Sequence, residues 1–343
     1  MDTLILDAKD IEKSKDDIQT AGKILKNGGL VAIPTETVYG LAADATNSEA
    51  VKNIFVAKGR PQDNPLIIHI SKKEDAQKYA KDIPQLYYDL CDKFCPGPLT
   101  IILKKKDIIP PETSGGLSSV GIRIPSHKAA RAIIDAAGTA LAAPSANLSG
   151  SPSPTTVKRC MDDLLGKVDA IVDGGDCCVG VESTVISLAE EVPTLYRPGF
   201  ITAEELRAVT GELVIHDGVS HKVSAKEHVP SPGMKYKHYS PKAKVVLVKG
   251  DTKSYCDFVN EHISDGVLAM CFESDIEFLE TDYVCYGKEN EGADLAKNVF
   301  ECLRISDEKN AEIVYAHCPN DSGISLAVYN RLLRAAAFEV IEV

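Results

Sequence analysis

The chain has 343 residues, enough for two domains of ordinary size, with 44% hydrophobic and 26% charged residues, the balance of a globular protein with real cores. No apolar run reaches the roughly 18–20 residues that a membrane span needs, and Met1 leads into a charged stretch with no secretory apolar core, so the sequence reads as a cytoplasmic protein without membrane association. A net charge of −12 argues against a general nucleic-acid binder. That charge is uneven. Residues 1–241 hold 28 Lys or Arg against 31 Asp or Glu, a balance of −3, while residues 242–343 hold 10 against 19, a balance of −9.

In chain order, apolar residues Ile18, Ala21, Ile24 and Leu25 trace a helical face that the Gly28-Gly29 pair ends. LVAIP (30–34) follows as a short buried strand, 47–58 reads as a helix, and LIIHI (66–70) as a strand. Further strands are expected at 99–104, 120–124, 140–144, 169–173 and 184–188. Strands interleaved with helices predict a twisted mixed-sheet α/β domain over 1–203. From 204 to 241 the periodicity weakens. The stretch HVPSPGMKYKHYSP (228–241) is rich in Pro and Tyr rather than Gly and Ser, so it reads as a linker that packs on something. From 242 to 343 a clean alternation returns: strands at 243–250, 266–270 and 312–317, helices to about 262, around Leu295–Leu303 and over 321–340. This predicts a small Rossmann-like parallel-sheet domain. It holds neither G-x-G-x-x-G nor a Walker A motif, so no nucleotide site is assigned there.

The ten cysteines form no C-x-x-C pair, and several lie in apolar runs such as VLAMCF (267–272), where a free thiol behaves as a small hydrophobe. Reduced thiols are the expectation. A zinc site built from Cys91, Cys95 and the Cys177/Cys178 pair lacks paired-ligand spacing, so no metal ligand is assigned.

Chemistry concentrates in the first domain. IPTETVYGLAAD (33–44) runs from a buried strand into hydroxyls around an acid, either a polar helix cap or a ligand edge. KGRPQDNPLIIHI (58–70) fixes Lys58 and Arg60 beside a proline, which suits a polyphosphate but also a solvated basic turn. His69 inside a strand is either a satisfied core histidine or a ligand contact. Arg123, mid-strand among apolar neighbours, needs a carboxylate partner, internal or from a ligand. APSANLSGSPSPT (143–155) exposes hydroxyls and backbone N–H groups ahead of a helix. Glu182, Ser183 and Thr184 enter a strand, and Arg197 sits in a turn after one. Hydroxyls and four cations at loop positions of one α/β domain point to a ligand with several anionic groups.

GGLVAIPTETVYGLAADA, K-G-R-P…N-P-L, GIRIP, APSANLSG, VESTV and LYRPG, in this order, resemble the signatures of the YrdC-like domain. With SPGMKYKHYSP and the following domain, the whole chain is similar to the two-domain form of the threonylcarbamoyl-AMP synthase family. The resemblance implies a nucleotidyltransferase that joins L-threonine, bicarbonate and ATP, with Mg2+ accompanying the ATP. It implies a downstream tRNA threonylcarbamoyl transferase complex as partner and no stable nucleic-acid binding. By position in the motifs, Lys58 and Arg60 are the implied catalytic pair. With them, Asn64, Ser119, Ser145, Asn147, Ser153, Arg197, Tyr236 and His238 are the implied ATP contacts, and Thr35, Thr37, His69, Arg123, Ala143 and Ser183 the implied threonine contacts. Tyr236 and His238 are expected to close over the site as a lid. Deletion of 229–240 should then depress synthesis of the adenylate, and unchanged synthesis would remove the lid from the account. The rival expectations are a carbamoyl-transfer enzyme, although the accompanying acylphosphatase-like and zinc-finger segments are missing, and an RNA-binding protein, disfavoured by the −3 balance of residues 1–241.

Overall fold

Two sheets organise the chain in a computed structural model that describes residues 2–62, 64–221 and 239–343. The first contains β1 (Leu4–Asp7), β2 (Val31–Ile33), β3 (Gly40–Asp44), β4 (Ile67–His69), β5 (Leu99–Lys104), β6 (Ser119–Arg123), β7 (Leu141–Ala142), β8 (Ala170–Asp173), β9 (Thr184–Ser187), β10 (Thr194–Arg197) and β11 (Val214–Ile215). Its spatial order is β1-β8-β2-β3-β7-β4-β6-β5-β9-β10-β11, with parallel and antiparallel neighbours mixed. The second sheet holds β12 (Lys244–Lys249), β13 (Val267–Phe272), β14 (Tyr283–Gly287), β15 (Ile313–His317) and β16 (Val340–Glu342) in the order β14-β13-β15-β12-β16. All of its pairings are parallel, as the alternation of strand and helix predicts. Among the described residues no helix is long and apolar enough to cross a membrane.

Side-chain alternation divides the central strands between a core and a site. On β4, Ile68 joins the main core while Ile67 and His69 face the other way. On β6, Val120 and Ile122 enter the core, leaving Gly121 and Arg123 on the opposite face. Register then assembles the polar edge. His69 pairs with Arg123, Arg123 with Thr100, and Leu99 with Thr184, so the ends of β4, β6, β5 and β9 converge. Helix Ser48–Lys58 starts at Asn47, whose side chain accepts from the N–H groups of Glu49 and Ala50. It stops at Gly59, whose φ of 61° reverses the chain and turns Arg60 back over the sheet.

The structure revises the sequence reading in three places. Residues 204–215, expected to be linker, carry helix Ala203–Thr210, opened by a Thr202/Glu205 capping box, and edge strand β11. The helix is too short for its period to stand out, and β11 exposes both of its residues. The C-terminal helix, expected over 321–340, spans Ser325–Ala335. Ala337 and Phe338 take positive φ, and β16 then pairs with Leu247–Lys249. The apolar residues at 338–341 fit either conformation locally, and the open edge of β12 decides. Arg197, expected in a turn, is the last residue of β10. Tyr236 and His238, the expected lid, lie outside the described residues.

The two domains share a buried boundary. Val38, Val179, Val181 and Tyr239 pack into the same core as helices Gly292–Glu308 and Ser325–Ala335. Arg159 bonds Glu301 and Glu308, and Arg304 reaches Asp163 at 2.8 Å. At Gly180 (φ 84°) an added Cβ would stand 2.3 Å from Lys297 Cα, inside helix Gly292–Glu308. Gly180→Ala should therefore destabilise the protein by about 3 kcal/mol, through left-handed strain plus overpacking at the boundary. Urea unfolding reads this out, and an unchanged midpoint would mean that the contact gives way without strain.

Candidate active site

One cleft over β4 is lined by Thr35, Arg60, His69, Arg123, Ala143, Ser145, Glu182, Ser183, Arg197 and Tyr239, among others. It encloses about 600 Å³ including its open mouth, a size suited to small ligands.

In the cleft, Arg123 Nη2 lies 2.8 Å from Glu36 Oε1, and both side chains are buried. Nε and Nη2 nonetheless have no directed hydrogen bond among the described residues, so charge rather than geometry holds the pair and donors remain for a ligand. The sequence left two partners open for Arg123, and the internal carboxylate is present. Glu36 also accepts from Ser126 N–H through Oε2. Thr100 and Ser183 hydroxyls lie 2.7 Å apart, and Arg197 donates to Ser183 O and Oγ at 3.0 and 3.1 Å. Burial pushes the Arg197 pKa down to about 10, which leaves it cationic at neutral pH.

His69 is buried with Nδ1 unpartnered among the described residues. Burial, with the Arg123 guanidinium beside it, holds its pKa down at about 3. The native imidazole thus stays neutral where the unfolded chain protonates at about 6.5. Since the unfolded state then binds more protons, stability should fall as pH drops from 6.5 toward 3, by up to about 1.4 kcal/mol per pH unit from this residue. His69→Gln should flatten that slope, and an NMR titration should show His69 unchanged between pH 5 and 8. A midpoint near 6.5 in the folded protein would contradict this.

Other residues singled out from the sequence are not among the described lining of the cleft. Lys58 Nζ donates to Ser145 O at 2.5 Å and to Asn147 O, and burial followed by Arg60 holds its pKa well below the ordinary lysine value. Asn147 accepts from the Ser145 hydroxyl at 2.5 Å and donates to Leu148 O and Ser151 O. Ser153 donates to Glu182 Oε1 at 2.5 Å. Thr37 is fully buried, its hydroxyl 2.9 Å from that of Thr35. Asn64 is buried outside the lining, and Ser119 begins β6 at the end away from Arg123. Glu36 and Tyr239 were not singled out from the sequence. Glu36's signal was an acid enclosed by hydroxyls.

Both domains match known families. Residues 23–199 match a family described as telomere recombination, and residues 201–337 match the threonylcarbamoyl-AMP synthase C-terminal domain. The threonylcarbamoyl-AMP synthase of Pyrococcus abyssi is 40% identical over 99% of this chain and 100% of its own length. That of Bacillus subtilis is 41% identical over 94% of each. The chain belongs to the threonylcarbamoyl-AMP synthase family. Among solved structures, P. abyssi Sua5 complexed with L-threonine aligns over the full length of both chains at 38% identity with a TM-score of 0.91. Escherichia coli YciO shares the fold of the first domain, with a TM-score of 0.51 at 23% identity over 58% of this chain and 96% of its own. In this family member the mixed sheet therefore carries the cleft, and the all-parallel domain packs behind Glu182.

Proposed function

We propose that the chain converts L-threonine, bicarbonate or CO2, and ATP to threonylcarbamoyl-AMP and pyrophosphate, for the threonylcarbamoyl-adenosine modification of tRNA. The observation that carries this reading is the convergence of Arg60, Arg123 and Arg197 with a neutral His69 in one cleft. Full-length likeness to a protein crystallised with L-threonine supports it.

Threonine's amine adds to CO2 and loses a proton to solvent, giving N-carboxy-threonine. An oxygen of the new carboxylate attacks the α-phosphorus. The bond from that phosphorus to the bridging oxygen breaks, and its electron pair leaves with pyrophosphate. Arg123 holds the threonine carboxylate, with Thr35, Ala143, His69 and Ser183 around the rest of the amino acid and Thr37 supporting the Thr35 hydroxyl from within. His69, titrating far below neutrality, orients by hydrogen bonding rather than by moving protons. Arg60, Ser145 and Arg197 face the phosphates, supported by Lys58, Asn64, Ser119, Asn147 and Ser153, with Tyr236 and His238 at the nucleotide. Alignment of the reactants supplies up to about 7–11 kcal/mol in favourable cases, and fixed cations offset developing phosphate charge.

Mg2+ enters with ATP. Among the described residues no three His, Cys, Asp or Glu converge on an ion site. The carboxylates at the cleft are engaged, Glu36 by Arg123 and Glu182 by Arg331. This donor set fits an ion carried by phosphate oxygens and water, as Mg2+ prefers. The mixed anhydride is labile, so the recipient is a tRNA threonylcarbamoyl transferase complex in the same compartment, the cytoplasm.

Pyrophosphate and adenylate are followed with purified protein while threonine and bicarbonate are omitted in turn. Release that requires both is the expected result. ATP left untouched under every condition moves the function to carbamoyl transfer or RNA binding.

A further inference from the structure

We infer that Arg331, from the C-terminal domain, is a positioning residue for nucleotide binding: it balances the charge of Glu182 and clamps the two cleft walls that carry Ser183 and Arg197. The inference rests on the function proposed above.

Glu182 is the carboxylate among the cleft-lining residues, in a site whose other charged linings are arginines. An anion facing a polyphosphate repels it unless something compensates. Burial pushes the Glu182 pKa up, but the Arg331 and Arg197 guanidinium groups, with the hydrogen bonds that the carboxylate accepts from Ser153 and the backbone, together hold it below the ordinary carboxylate value. Arg331 approaches from behind, on helix Ser325–Ala335, with no exposed surface. Its Nε donates to Glu182 Oε2 at 3.0 Å, its Nη2 to Glu182 O at 3.1 Å, and its Nη1 to Pro198 O at 2.7 Å. One guanidinium fork thus ties together the segments at 182–183 and 197–198, which also bond each other through Arg197 and Ser183. Its Cζ lies 5.9 Å from the ring centroid of Tyr239, a third cleft wall, where the chain enters the C-terminal domain. A lysine has the charge but no planar fork to hold two walls at once. Glu182 in turn fixes Ser153, so the order of contact runs from the C-terminal helix to the cleft through one carboxylate.

The test uses full-length R331M, R331K and R331M/E182Q, with MgATP affinity measured by equilibrium dialysis and KM and kcat for ATP and threonine measured separately. R331M is expected to weaken MgATP binding by about 10-fold or more, with the ATP KM rising more than kcat falls, because Glu182 is left uncompensated. R331M/E182Q, with both charges gone, should recover to within about 5-fold of wild type although the wall contacts are lost. R331K should fall between. MgATP affinity in R331M within about two-fold of wild type, or a double variant that binds no tighter than R331M, overturns the inference. If R331M does not fold, the charge-balanced R331K and R331M/E182Q carry it, and a double variant about 10-fold weaker than wild type overturns it. A wild-type chain that binds no MgATP overturns the proposed function as well, which separates the two failures.

Discussion

Arg123→Met is expected to lower kcat/KM for threonine by at least about 100-fold and to reduce stability by about 3–5 kcal/mol. Two effects combine. The substrate carboxylate loses its charge-assisted donor, and Glu36, 4% exposed and 2.8 Å from Arg123, becomes a buried charge without its cation. The second effect can be removed separately. In Arg123→Met with Glu36→Gln both charges are gone, so most of the stability should return while threonine affinity stays low. Calorimetric titration with L-threonine and urea unfolding measure the two parts. Threonine affinity preserved in either variant would assign the substrate carboxylate to another donor.

Lys58→Met should reduce ATP-dependent pyrophosphate release by about 100-fold while changing stability by no more than about 2 kcal/mol. The small stability change reflects opposed terms. The variant removes a buried cation whose charge is disfavoured by burial, but it strands the Ser145 and Asn147 carbonyls that Nζ now satisfies. The activity loss follows from the same contacts, because Ser145 lines the cleft and its loop is anchored from behind by this ammonium. Lys58→Arg keeps the charge but does not fit the enclosed space, so it should also be impaired. Parallel turnover and unfolding measurements decide. Full activity in Lys58→Met would reduce Lys58 to a core residue.

Much of the architecture was legible in the chain. Runs such as LTIILK and AKVVLVKG are apolar, short and bounded by turn residues, and they form β5 and β12 within a residue of the expected bounds. The motifs around Arg60, His69, Arg123, Ala143, Ser145, Ser183 and Arg197 lie far apart in sequence but meet in one cleft. β3 escaped notice because Gly40–Asp44 is mostly glycine and alanine, residues with little strand preference. It forms a strand because β2 and β7 pair with both of its sides.

The sequence by itself determined the fold class, the division into a mixed-sheet and a parallel-sheet domain, and the residue types that the cleft collects. Periodicity and turn chemistry are local, and they are written within a few residues of each other. Only the tertiary structure decided which charges are compensated. Glu36 meets Arg123 across 87 positions, and Glu182 meets Arg331 across 149. Such pairs are selected by the desolvation cost of a buried charge, which no local pattern records and which only the packed interior imposes.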